Sequence, residues 1–121
     1  MPKTVTAKQY NAKFKKLAKG WTEVMQEHND DALTIGGPGE LYWYSAIVGI
    51  GRQHGSDMLF VYDYDKLVDA KYNYYRAVDG LDDQAAYERA CEWVDYNITD
   101  AYVGKGTPII LYGNFNDLDI A

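Results

Sequence analysis

Glu88, Glu92 and Asp95 follow one another at intervals of four and three residues, so a helix through this stretch carries three carboxylates on one face. Carboxylate pairs perform acid–base chemistry only where a desolvated cleft shifts one of them, and a ridge on an exposed helix face offers no such cleft. Contact with a basic surface is the functional reading of this ridge, and a solvated helix face is the plainer one. Twelve tyrosines in 121 residues exceed what a core of this size needs. Tyr42, Tyr44, Tyr62, Tyr64, Tyr72, Tyr74 and Tyr75 gather around the expected sheet and the helix after it. Phenol rings bury area while tolerating a wet edge, which is why interfaces favour them. Glu88, Glu92, Asp95, Tyr64, Tyr74 and Tyr75 therefore form the candidate partner-binding set.

Other chemical motifs are weaker. Gly49-Ile50-Gly51-Arg52-Gln53-His54-Gly55 is one residue off a dinucleotide-binding fingerprint, and the stretch after it reads as strand. No helix N-terminus would then face a phosphate. Gly104-Lys105-Gly106-Thr107-Pro108 has the letters of a phosphate loop in the wrong order and fits a helix-to-strand connection. A small-ligand or nucleotide site built from Arg52, Asp63 and Thr107 is the alternative these loops leave open. Asp63-Tyr64-Asp65 lacks the remaining ligands of a calcium loop, so Asp63 or Asp65 is expected to cap a helix. His28 and His54 have no matched cysteine or carboxylate spacing, and Cys91 falls on an apolar stripe where a small buried hydrophobe is the commoner fate. No metal, no cofactor and no catalytic set are expected. Asn97-Ile98-Thr99 matters as a glycosylation site only in an exported chain.

These residues need a frame to hold them. The length suits one domain, 1–121, divided into an N-terminal helix (1–30), a body of sheet and helices (31–113) and a polar tail (114–121). The 47% hydrophobic and 25% charged residues are globular proportions. No apolar run approaches the roughly 18 residues of a membrane span. The opening MPKTVTAKQY lacks an apolar signal core, so a soluble, cytoplasmic protein is expected. Residues 1–20 hold six lysines and no acid; the remainder carries six basic and eighteen acidic residues, a balance of −12 against −6 overall. An acidic body disfavours nucleic acid and favours basic partners.

The fold class expected is α+β. Tyr10, Phe14, Leu17, Trp21, Val24 and Met25 draw one apolar stripe on a long N-terminal amphipathic helix. Thr6 with Gln9 makes a capping box that starts the helix at Ala7, and it is expected to run to Glu27 or His28. Leu41–Gly51 and Met58–Tyr62 read as two antiparallel strands, although the start of the first equally fits a short helix. A short helix over Tyr64–Tyr75 follows, marked by Leu67, Val68, Ala70 and Lys71. A long helix then opens at Asp82 or Asp83, with Tyr87, Cys91, Val94, Ile98 and Tyr102 as its stripe and Gly104 as its stop. Pro108–Tyr112 reads as a buried last strand in a small, mostly antiparallel sheet.

Four stretches carry a further likeness: Ala46–Gly51, Val61–Val68, Tyr87–Asn97 and Ala101–Leu111. Together they resemble a group of small bacteriophage proteins of unassigned function. The resemblance covers about half of the chain. It implies a phage origin and the order strand, Tyr-Asp step, helix, Gly-Thr-Pro and last strand, and it brings no activity or catalytic residue. The leading expectation is thus a non-enzymatic phage-type accessory protein that binds a host protein in the bacterial cytoplasm, as a takeover or defence-countering factor. The other two are the small-ligand or nucleotide protein and a structural, virion-associated homo-oligomer.

Overall fold

A computed structural model describes residues 4–52, 55–98 and 104–112. Among them the chain forms α1 (Ala7–Ala12), α2 (Lys15–Gln26), a 3-10 helix (Leu41–Ala46), β1 (Ile47–Gly51), β2 (Leu59–Asp63), α3 (Tyr64–Ala77), α4 (Asp83–Asn97) and β3 (Ile109–Leu111). The class is α+β, with a three-stranded mixed sheet.

The N-terminal segment begins as its sequence dictates. The Thr6 hydroxyl accepts from the Gln9 amide at 3.1 Å while the Gln9 side chain accepts from the Thr6 amide at 3.0 Å, so two of the helix's orphan donors are satisfied. The single long helix expected here is instead two. At Lys13 and Phe14 the amides turn to carbonyls three residues back, Tyr10 and Asn11. The break lies beside Asn11, a buried amide whose Nδ2 donates to the Ala7 carbonyl and whose Oδ1 accepts from the Tyr42 amide. Asn11 thereby ties α1 to the 3-10 helix. The break also rotates the buried stripe: Ala18 and Met25 go inside, whereas Leu17 and Val24, expected in the core, are exposed. Trp21 still reaches the sheet, meeting Phe60 edge-on at 6.4 Å.

The aromatic run after Glu40 forms the 3-10 helix before it becomes strand, and this helix is the centre of the molecule. Tyr42 and Trp43 are sealed from solvent, and the element packs against α1, α2 and α3. Strands β1 and β2 pair antiparallel, with a bulge at Val48. Strand β3 pairs parallel to β2, so the sheet is mixed rather than mostly antiparallel. The antiparallel α3–α4 pair ends beside Tyr64, where it began, so the parallel seat of β3, which starts opposite Val61, is set by the connection that follows α4. β3 is a half-buried edge with Leu111 exposed, not the buried strand its apolar run predicts.

Helices α3 and α4 are capped by Asp63 and Asp82, which accept from the amides of Lys66 and Ala85. They run antiparallel, with Tyr72 and Arg76 meeting Asp83 at one end and Tyr64 meeting Asp95 at the other. The stripe of α4 differs from the expected one in its first half. Ala86, Ala90 and Val94 are fully buried, Tyr87 is exposed and Cys91 half-buried. Two alanines let the helices approach closely, which a tyrosine in that seam would prevent. Tyr102 and the tail 114–121 lie outside the described residues.

Candidate functional site

Helical geometry sorts the residues of α4 by angle. With Ala86, Ala90 and Val94 inward, Glu88, Glu92 and Asp95 occupy the middle of the outward face, with Tyr96 on one shoulder and Tyr87 on the other. Tyr96 is 89% exposed and, among the described residues, makes neither a ring contact nor a hydrogen bond. Tyr87 is half open and sits edge-on to Tyr72 at 6.5 Å. Its phenol is pushed up by a hydrogen bond to Cys91, with Asp65 and Asp69 of α3 adding negative field. Tyr64 reaches across from α3 to hydrogen-bond Asp95, a bond that raises its pKa, and stacks on Tyr112 at 5.4 Å. Glu88, Glu92 and Asp95 thus share the outer side of the helical hairpin with Tyr87, Tyr96 and the hydroxyl of Tyr64.

Tyr74 and Tyr75, grouped with that face on sequence, sit elsewhere. They are half-buried and belong to an aromatic cage closed around Lys71, a residue that the sequence marks only as part of the α3 stripe. Lys71 is 6% exposed as a residue. Its ammonium lies 4.4 Å from the ring centre of Trp93, 4.9 Å from Tyr74, 5.0 Å from Tyr75, 5.6 Å from Tyr42 and 5.7 Å from Trp43. All are within the reach of a cation–π contact, which strengthens when the charge is desolvated. The ammonium also donates to the Tyr42 hydroxyl at 3.0 Å, and that hydroxyl lies 3.3 Å from Glu40 Oε2. The other Glu40 oxygen accepts from the Gly37 amide at 2.8 Å. Around the ammonium the rings pack on one another, Tyr42 on Tyr74 at 4.8 Å and Trp43 on Trp93 at 5.2 Å.

Electrostatically the cage acts on both partners. Burial lowers the Lys71 pKa, with Glu40 and Asp79 opposing it, and burial raises Tyr42, reinforced by Glu40. No carboxylate lies within ion-pair distance of Lys71 among the described residues. The rings therefore take the place of a counter-ion, and the ammonium joins α3, α4 and the 3-10 helix. Five ring contacts and the hydrogen bond to Tyr42 make the cage a point of cohesion in the core. The available signal in the sequence was a lysine on an apolar stripe within a chain that concentrates aromatics at Tyr42, Trp43 and Trp93.

Arg52, Asp63 and Thr107 are not brought together. Asp63 ends β2 and caps α3, whereas Arg52 follows Gly51, which pairs with Leu59 at the other end of β2. Thr107 stands before β3 on the far side of β2 from β1, with its hydroxyl 2.7 Å from the Gly104 carbonyl. A cleft of about 410 Å³ reaches Thr107, and neither Arg52 nor Asp63 lines it. His28 is exposed, and His54 lies outside the described residues. Among the described residues no group of three His, Cys, Asp or Glu side chains is placed to hold a metal ion, and no helix is long and apolar enough to cross a membrane. Comparison with protein-family models, with curated proteins and with solved structures finds no match to this chain.

Proposed function

We propose that this protein acts by binding a basic surface of another protein through the outer face of the α3–α4 hairpin, and that it is a non-enzymatic accessory factor of phage type working on a host component. The observation that carries this reading is Tyr96, a large ring held in water at 89% exposure beside Glu92 and Asp95. Exposed aromatics flanked by like-signed charge are characteristic of contact surfaces, where the ring supplies buried area and the charges supply encounter rate and orientation. A body balance of −12 gives the same sign at long range. Tyr64 holds the Asp95 carboxylate in place, so part of the face is ordered before any partner arrives.

The test is affinity capture from bacterial lysate with the full chain and with a Glu88→Lys/Glu92→Lys variant. One stoichiometric protein should be retained by the wild type, released as salt rises, and lost by the double variant. Equal capture by both chains, or no stoichiometric partner at low salt, rejects the reading.

A further inference from the structure

A second site lies on the opposite side of α4. A cleft of about 290 Å³ opens between the last turn of α4, the loop 33–36 and the start of β3. Its walls are mainly apolar, from Ile35, Trp93, Ile98, Pro108 and Ile110, with Thr34, Asn97 and Thr107 as polar residues among them. Concave, largely apolar walls with a few polar groups are the usual make-up of a small-molecule site, and this volume is near the lower end of the range for such sites.

The loops that form it are built for close approach. The Leu33 amide donates to the Gly106 carbonyl at 2.9 Å, fastening loop 33–36 to the segment before β3. Gly36, with φ +91°, lines the cleft on one side and on the other lies against the edge of Trp43. A Cβ placed there would come within 2.3 Å of Trp43 Cδ1 and 2.8 Å of its Nε1. That Nε1 is fully buried and has no acceptor among the described residues. A buried donor without a partner is rare and costs stability, and the cost is recovered when an acceptor arrives. The bare Gly36 backbone stands between this donor and the cleft.

We propose that the cleft binds a small, planar, mostly apolar molecule carrying a hydrogen-bond acceptor, which takes the Trp43 indole N–H as the Gly36 backbone moves aside. The apolar walls hold the body of the ligand, and the acceptor gives it selectivity over a carbocyclic isostere. The site is independent of the acid–tyrosine face. It shares only Thr107 with the small-ligand set of Arg52, Asp63 and Thr107.

Quinoline and its carbocyclic isostere naphthalene test this on the full 15N-labelled chain. Three indole N–H signals are available, from Trp21, Trp43 and Trp93, and single Trp→Phe variants assign them even if Trp43→Phe folds poorly. Quinoline should move the Trp43 indole signal and bind about tenfold more tightly than naphthalene. Thr34→Trp, a change at an exposed edge position, should fill the mouth and abolish the response while leaving the remaining spectrum in place. An unmoved Trp43 signal, equal affinity for the two probes, or an undiminished response in Thr34→Trp overturns the proposal.

Discussion

Tyrosine is used in two opposite ways on the two sides of the α3–α4 hairpin. Around Lys71, Tyr42, Tyr74 and Tyr75 turn their rings toward a buried cation. On the outer face, Tyr87 and Tyr96 stand in solvent beside carboxylates. The residue type is the same, and the difference is the charge each ring meets. The negative face of a phenol ring compensates an ammonium that has lost its water, so a cation organises tyrosines into a core. A carboxylate offers the ring face no such compensation, and the one beside the cage, Glu40, is met by the Tyr42 hydroxyl and the Gly37 amide instead. A high tyrosine count thus says nothing of where the rings go until their charged neighbours are known.

The comparison is most exposed at Lys71. Truncation by Lys71→Ala should cost about 2–4 kcal/mol in chemical denaturation, the scale of large-to-small core changes, because five rings lose their common centre. Lys71→Met keeps the volume without the charge and should lose less than half of that amount. A cost for Lys71→Ala below about 0.5 kcal/mol, the scale of surface changes, would mean that the cage is decoration on a core that stands without it.

A smaller effect appears with pH. Burial holds the Lys71 pKa below the ordinary 10.5, so between its lowered value and 10.5 the unfolded chain binds the extra proton. Stability therefore rises with pH across that window, and the full penalty for the buried charge is felt below it. Tyr10, Tyr42 and Tyr62 are raised by burial above 10.0, so beyond that pH the unfolded chain loses its phenolic protons first and stability falls. Denaturation midpoints measured as a pH series should climb toward pH 10 and then drop. In Lys71→Met the climb should vanish and the drop persist.

The smallest effect belongs to the other side. Tyr96→Ala and Glu92→Gln should each change stability by no more than about 0.5 kcal/mol, since both side chains are exposed. The same two changes should weaken capture of a basic partner. A stability loss near that of Lys71→Ala would place Tyr96 in the fold rather than on a contact face.

Much of the local structure was legible in the chain. The Thr6–Gln9 capping box, the Asp63 and Asp82 caps and the α3 stripe each depend on neighbours within one helical turn, and the structure has them where the residues imply. The misplacements share a cause. The break after Ala12 depends on Asn11 meeting the Tyr42 amide, a contact spanning 31 positions. The inward turn of Ala86 and Ala90 in place of Tyr87 depends on how closely α3 lies. The parallel seat of β3 depends on where the connection after α4 sets Ile109 against Val61. Of the candidate site, the ridge Glu88, Glu92 and Asp95 was legible because helical spacing alone puts it on one face. The removal of Tyr74 and Tyr75 to the cage was not, because the stripe position of Lys71 does not say which rings from distant segments will meet it.

Sequence by itself determined the α+β class, the starts of α1, α3 and α4, and the separation of six N-terminal lysines from an acidic remainder, because caps, periodicity and charge are properties of neighbouring residues. Tertiary structure alone decided that one lysine would sit among five rings and that the Trp43 N–H would lie unpaired beneath Gly36. Both outcomes depend on groups from distant segments arriving at one point, and the free energy of that arrangement resides in the packing and in no single stretch of chain.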